Sequence, residues 1–322
     1  MARILTGIQS TGVPHLGNIL GAVLPAIKLA KKSKSDSYLF IADLHSLTQI
    51  KDGKSLIENN FATAAAWLAC GLDVNKTVFY KQSDVGEVTE LAWHLSCFYP
   101  YQRLTLAHSF KDKQSQINTV NTGLFIYPML MAADILLYDA EIVPVGKDQL
   151  QHLEITRDVA ARFNNLMGET FVIPKPFLTD SRQQILGTNG EKMSKSKNNI
   201  INIFLPKEKL RKQIMSIQTD STPLEKSKDP KKCTVFHLYS LLASENDSRD
   251  LKNKYLAGGM GYGEAKQLLY ELLLKKFNKE RDRFDYLYKN PQEVHSALTL
   301  GAKKASVLAK KVLERVRKAS GY

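Results

Sequence analysis

Long apolar runs are missing from this 322-residue chain. No stretch approaches the roughly 20 apolar residues that a bilayer-spanning helix needs. The first nine residues hold no apolar block of the secretory kind, so the expected compartment is the cytosol. Cysteine is scarce as well: Cys70, Cys97 and Cys233 lie far apart and no C-x-x-C pair occurs. That spacing argues against a disulfide framework and a structural zinc site, and the thiols are expected to be reduced and buried. Internal repeats and low-complexity tracts are absent too. What remains is a globular composition, 43% hydrophobic and 24% charged, long enough for a large core and two units.

Acidic residues are the other shortage. Lys and Arg number 45 against 32 Asp and Glu, a formal charge of +13. The imbalance is local: residues 1–200 hold 20 basic and 18 acidic side chains, residues 201–322 hold 25 and 14. Charge concentrated in the last third is what a polyanionic partner would require, because phosphates neutralised by lysine release counterions. A solvated, lysine-rich helical surface explains the same count, so motifs must decide.

The apolar pattern alternates short strands with helices: Arg3–Gln9, Leu16–Lys32, Ser37–Asp43, Ser55–Gly71 and Thr77–Lys81. That order predicts a parallel α/β sheet. A helical insertion follows over about 86–138, with Leu124–Tyr138 almost continuously apolar. Glu141–Val145 reads as a strand, Gln149–Met167 as an amphipathic helix, and Pro174–Asn199 as a polar loop. Beyond Phe204 the chain reads as helical. The expected division is a Rossmann-like domain over 1–200, with its mobile lysine loop at the end, and a smaller, basic, all-helical region over 201–322.

Two segments carry chemistry. The first, Thr6 through Gly12 to His15-Leu16-Gly17-Asn18, is a glycine-punctuated turn from strand to helix, where open N–H groups would receive nucleotide phosphate. His15 and Asn18, three apart, are expected on the same side of the first turn. Alone this is only a structural turn of any α/β protein. The second is Lys192-Met193-Ser194-Lys195-Ser196, whose ammonium groups and hydroxyls could neutralise a triphosphate. Alone it is only an exposed basic loop.

Together, H-L-G-N near the start and K-M-S-K-S downstream resemble the paired motifs of class I aminoacyl-tRNA synthetases. Gly7-Ile8-Gln9, Tyr127-Pro128 through Met131-Ala132-Ala133-Asp134, Val143-Pro144-Val145-Gly146-Lys147-Asp148-Gln149, Asp220-Ser221-Thr222-Pro223 and Gly301-Ala302-Lys303-Lys304-Ala305 are similar to the bacterial tryptophanyl subgroup, and the likeness spans the chain. The resemblance implies that ATP binds at Gln9, Ser10, Thr11, His15, Gly17, Asn18, Gly146, Lys147, Asp148, Gln149 and Ile185, with Lys192, Met193, Ser194, Lys195 and Ser196. Lys192 and Lys195, aided by Lys111 or Lys113, would meet phosphates, with Lys113 the third catalytic lysine. Mg²⁺ would accompany ATP without a carboxylate cage of its own. L-tryptophan would be held by Asp134, Met131, Gly7, Val143 and Val145. The remaining partners implied are tRNA(Trp), its anticodon end on the basic C-terminal helices, and a second copy of the chain.

Asp134 supports the indole independently. Its neighbours Met129 to Leu137 are apolar, so a buried carboxylate there needs a donor. An indole has one N–H and no acceptor, and thioethers suit its faces. A neighbouring side chain or helix end could instead satisfy Asp134. His45, after the second strand, is either part of the ligand crevice or a packed histidine. A tyrosyl-tRNA synthetase, a small-molecule adenylyltransferase and a catalytically silent RNA-binding relative are the competing readings. The first would more naturally read a phenol with donor and acceptor together. The second needs no basic helical third, and the third would not need Lys192 and Lys195.

Overall fold

The computed structural model describes residues 3–32, 36–106, 121–146, 149–178 and 185–322. Five strands, β1 (Ile4–Ile8), β2 (Ser37–Ile41), β3 (Thr77–Lys81), β4 (Ile142–Val145) and β5 (Lys175–Leu178), form one sheet in the order β3-β2-β1-β4-β5. All pairings are parallel. β5 corrects the expectation of an unbroken polar loop over 174–199: Lys175 and Pro176, which read as loop, belong to an edge strand, where Pro176 loses no ladder bond that a neighbour needs.

The helices are α1 (Leu16–Asn18), α2 (Leu24–Lys32), α3 (Asp43–Ser46), α4 (Gly53–Ala69), α5 (Glu87–Phe98), α6 (Tyr101–Leu104), α7 (Thr122–Leu136), α8 (Leu150–Met167), α9 (Lys207–Met215), α10 (Thr234–Leu242), α11 (Glu245–Ala257), α12 (Tyr262–Lys276), α13 (Asn278–Lys289) and α14 (Pro291–Ala319). A π-turn over Ile19–Val23 joins α1 to α2. Pro25, just inside α2, cannot donate to the preceding turn and its ring crowds the carbonyl there, so the widened turn has a local cause. Among the described residues no helix is long and apolar enough to cross a membrane.

The sheet separates two apolar layers. Leu39 and Ile41 of β2 face one with α2, α4 and α9–α13. Tyr38 and Phe40 face the other with α7, α8 and the C-terminal half of α14. The alternation is that of a strand buried on both faces. The division at 200/201 places α14 with the basic helical region, but the helix returns to the sheet. Val294 and Leu298 join the first core; Ala302, Ala305, Ala309, Val312 and Val316 join the second. Small residues permit this, since a Cβ on Gly301 would lie 1.7 Å from the Phe79 carbonyl oxygen. The helix thereby covers the edge strand β3, whose open hydrogen-bonding groups would otherwise invite pairing.

The crossing between β1 and β4 reverses strand order, and ligand crevices form at such points, beyond the carboxyl ends of the strands. Here the two strands share only the pair Ile4 and Ile142. Ile142 donates its N–H to the Arg3 carbonyl at 3.1 Å. The next bond of a parallel ladder would come from residue 144, and Pro144 has no N–H. The ladder ends there, and the strands part toward Gln9 and Gly146.

Candidate active site

Within two residues of its end, each strand but the last leads into a polar residue or a glycine at this crevice: Gln9, Asp43, Gln82 and Gly146. Gln9, after β1, donates from Nε2 to the His45 carbonyl at 3.0 Å. Ser10 is fully buried; its hydroxyl donates to Asn60 Oδ1 and lies 3.2 Å from Ser46 Oγ. Ser46 in turn donates to the Ser10 carbonyl at 3.2 Å. The Ser10 hydroxyl therefore ties the β1 turn to α3 and α4. Gly7 needs its lack of side chain, because a Cβ would meet the Phe40 ring at 2.5 Å.

The expectation of open N–H groups on α1 is corrected. His15 and Asn18 cap one another: Asn18 N–H donates to His15 Nδ1 and His15 N–H to Asn18 Oδ1, each at 3.2 Å. Leu16 N–H reaches the Ile201 carbonyl at 2.8 Å, and Gly17 N–H points to Met193 Sδ at 3.3 Å. A thioether is a weak acceptor, so only the Gly17 donor is held lightly. Burial, and then the Lys195 ammonium, lowers the His15 pKa to about 4. His15 is thus neutral at pH 7, and with Nδ1 accepting, its proton lies on Nε2 as a donor.

The two motifs meet through this same turn. A hairpin over 185–193, closed by Met193 N–H to the Ile185 carbonyl at 2.9 Å and Gly187 N–H to Glu191 at 2.7 Å, presents the lysine segment. Met193 is buried against α1. Asn199 organises the rest: its amide donates to Asn189 at 2.6 Å and to the Lys192 carbonyl at 3.2 Å, and its oxygen accepts Ser194 N–H at 2.7 Å. Ser194 and Ser196 hydroxyls pair at 2.8 Å. Lys192 is exposed and makes no side-chain bond among the described residues. Lys195 Nζ donates to the Thr11 carbonyl at 2.9 Å, 3.0 Å from where a Cβ on Gly12 would lie. Gly12 has a φ of +112°, which also favours glycine. Burial lowers the Lys195 pKa to about 8.

Asp134 is 3% exposed and does not lack partners, as sequence reasoning left open. Gln82 Nε2 donates to both its oxygens at 2.7 and 2.9 Å, and His45 Nε2 lies 2.9 Å from Oδ2. His45 therefore belongs to the crevice. Desolvation raises the Asp134 pKa against the pull of those partners. A carboxylate has about four lone-pair positions, so Oδ1, with one donor, keeps one. Helical spacing sets Tyr127, Met131 and Asp134 on one face of α7; the Tyr127 and His45 rings stand edge to face at 6.2 Å, and Tyr127 Oη lies 2.8 Å from His152 Nε2. Val143 and Val145 are buried on the same side of the sheet, with Met131 packed there.

Gly146 follows β4, and its carbonyl accepts Gln149 N–H at 3.0 Å. Lys111, Lys113, Lys147 and Asp148 lie outside the described residues. Sequence reasoning missed Gln82, Asn60 and Asn199. Gln82 had a readable signal: it follows β3 as Gln9 follows β1. Asp43, two residues after β2, accepts Leu44 N–H and Ser83 N–H at 3.1 and 3.0 Å.

Comparison with known proteins bears on this arrangement directly. The model of the family described as tRNA synthetases class I (W and Y) matches residues 1–278. A tryptophan--tRNA ligase of Fusobacterium nucleatum is 45% identical over 320 residues, covering 99% of this chain and 97% of its own. A crystal structure of tryptophanyl-tRNA synthetase from Campylobacter jejuni, complexed with ADP and tryptophan, superposes with a TM-score of 0.95 at 43% identity, covering 99% of this chain and 100% of that one. The same enzyme from Mycoplasma pneumoniae superposes at 0.81 with 31% identity, over 100% and 98% of the two chains. The strand order, the meeting of the two motifs and these end-to-end matches agree, and the chain belongs to the class I tRNA synthetases of the tryptophan and tyrosine family.

Proposed function

We propose that this chain is a tryptophan--tRNA ligase: it activates L-tryptophan with ATP to the adenylate, then transfers the tryptophanyl group to tRNA(Trp). The observation that carries the specificity is the buried Asp134, oriented by Gln82 and His45 with one position on Oδ1 left for a single donor. An indole N–H fills that position. A ring without a donor leaves the carboxylate buried and short of a partner, which rejects phenylalanine. Gly7, Met131, Val143 and Val145 supply the apolar walls.

In the first step the tryptophan carboxylate attacks the α-phosphate and pyrophosphate leaves. The nucleophile is already ionised, so no base is needed; positioning and charge neutralisation do the catalysis. ATP enters between β1 and β4, against Gln9, Thr11, Gly17, Asn18, Gly146 and Gln149, and the resemblance adds Lys147 and Asp148 to its contacts. Neutral His15 donates from Nε2. Lys195 leaves the Thr11 carbonyl for the phosphates, Lys192 joins it, and Lys113 is the third cation. Mg²⁺ would come in on the triphosphate.

Pyrophosphate exchange tests the reading. Wild-type protein is expected to exchange with tryptophan and not tyrosine, and Asp134→Ala to raise the KM for tryptophan about 100-fold or more while the KM for ATP stays within about threefold, the scale of a lost buried charge-assisted bond. Exchange that prefers tyrosine, or equal losses for both substrates, would sink it.

A homodimer is proposed on a separate observation. Trp93, Tyr101, Leu106 and Ile126 are 70%, 66%, 60% and 42% exposed, and Trp93 and Ile126 line a cavity of about 470 Å³ with Leu47 and Tyr127. An apolar, aromatic patch of this kind marks an interface. Sedimentation is expected to give twice the 36.2 kDa chain mass for wild type and one chain mass for Trp93→Glu. A wild-type monomer at micromolar concentration contradicts the proposal.

A further inference from the structure

Three strand ends meet at the crevice, and the ladder that joins them stops short of it. Between β1 and β2 the last ladder bond runs from Ala42 N–H to the Ile8 carbonyl at 2.9 Å, and β2 pairs with β3 as far as Ile41 and Lys81. Beyond these points the turns are joined through side chains, and Asn60, on α4, bridges two of them. Its Oδ1 accepts from the Ser10 hydroxyl, and its Nδ2 donates to Asp43 Oδ2 at 3.4 Å. A carboxylate only accepts, so the Asn60 amide can face these partners one way round: the flipped amide would set oxygen against oxygen at Asp43.

The two partners belong to different halves of the site. Ser10 lies between Gln9 and Thr11, and the Thr11 carbonyl holds Lys195. Asp43 is buried and accepts Ser83 N–H at 3.0 Å and the Ser83 hydroxyl at 2.5 Å. Ser83 follows Gln82, which donates to both oxygens of Asp134 and accepts Leu44 N–H on Oε1 at 3.1 Å. One continuous path therefore runs from the nucleotide turn through Asn60 and Asp43 to the carboxylate of Asp134.

We propose that Asn60 is a positioning residue for adenylate formation: it sets the turn that holds ATP against the strand ends that orient tryptophan, so that the amino-acid carboxylate and the α-phosphate line up. Neither substrate needs to touch it. Alignment matters most in the transition state, so its loss falls on kcat and spares both KM values. The proposal rests on the ligase reading, and the two can fail separately.

Asn60→Leu in the full chain keeps the size of the side chain and removes both bonds. It is expected to lower kcat for tryptophan-dependent pyrophosphate exchange about tenfold or more, toward the roughly 10²-fold that a misplacement of about 1 Å costs, with both KM values within about threefold of wild type. Ser10→Ala breaks the path at its other end, and the double variant is expected to be no worse than the more damaging single one. Asn60→Asp gives a signature that a purely structural role lacks. The introduced carboxyl has the shape of the amide and faces Asp43 on α3, whose like charge raises its pKa; Lys195 approaches the neighbouring Asn59. Protonated, the carboxyl accepts from Ser10 and donates to Asp43 as the amide does; ionised, it repels Asp43. Its kcat relative to wild type should therefore rise about fivefold or more from about pH 8 to about pH 6, while the same ratio for Asn60→Leu stays flat. Wild-type kcat in Asn60→Leu, a loss spread equally over kcat and both KM values, losses that multiply in the double variant, or an Asn60→Asp ratio indifferent to pH overturns the proposal. Wild-type protein without tryptophan exchange would instead overturn the ligase reading.

Discussion

Replacing Lys195 with alanine is expected to lower tryptophan-dependent pyrophosphate exchange by about 10²–10³-fold, the usual effect of deleting one preorganised group that stabilises charge in the transition state. The fold should not register the change, because the ammonium makes one bond, to the exposed Thr11 turn. Thermal midpoint and circular dichroism are the controls. The pH profile separates charge from shape. Burial holds the Lys195 pKa at about 8 instead of 10.5, so in the free enzyme the cation is present below pH 8 and lost above it. Since kcat/KM reports the free enzyme, kcat/KM for ATP should fall on the alkaline side of about 8. Lys195→Arg should remove that limb, because guanidinium stays charged. The linkage has a matching sign: with its folded pKa below the unfolded one, Lys195 favours folding most at high pH, and that contribution fades as pH falls through 8. Bound phosphate reverses it by favouring the cation. An alkaline limb that persists in the arginine variant, or alanine retaining a tenth of wild-type exchange, defeats the assignment.

Gly301→Ala is expected to be the most destabilising single methyl in the chain, on the order of 3 kcal/mol or more, at the upper end for overpacking. The added carbon would overlap backbone, not a side chain that can turn away. Relief requires moving α14 off β3, and with it Ala302, Ala305 and Ala309 out of the core. Gly263→Ala in α12 is the control: nothing lies within 4 Å of its Cβ position, so it should be neutral or stabilise by about 0.4–1 kcal/mol. Denaturant midpoints at constant slope measure both. A Gly301→Ala protein as stable as wild type would mean that the helix does not sit on the strand as described.

These two sites also show how much the sequence discloses. The motif lysines and Gly301 were legible as a resemblance, and the β-α-β order as a periodicity, because both are local. What joins them is not local. Nothing in H-L-G-N announces that its N–H groups are taken by Ile201 and Met193, about 180 positions on, so the expected open anion site on α1 was a sound inference from a helix end alone. β5 stayed hidden because an edge strand tolerates the prolines that usually break one. Asp134 read correctly as a carboxylate in need of partners, but only the fold supplies Gln82 and His45. α14 carries an amphipathic stripe like its helical neighbours, and periodicity cannot say which surface the stripe will meet.

The seat of α14 on β3 also fixes when the molecule can be finished during its own synthesis. Residues 77–81 leave the ribosome more than two hundred codons before Gly301 does. The nascent chain therefore carries an open strand edge and a half-built core until α14 has emerged, the condition in which unpaired edges aggregate and chaperones intervene. Contacts of such long sequence separation also slow refolding from denaturant. For this protein the helix over Pro291–Ala319 is the closing step of the fold.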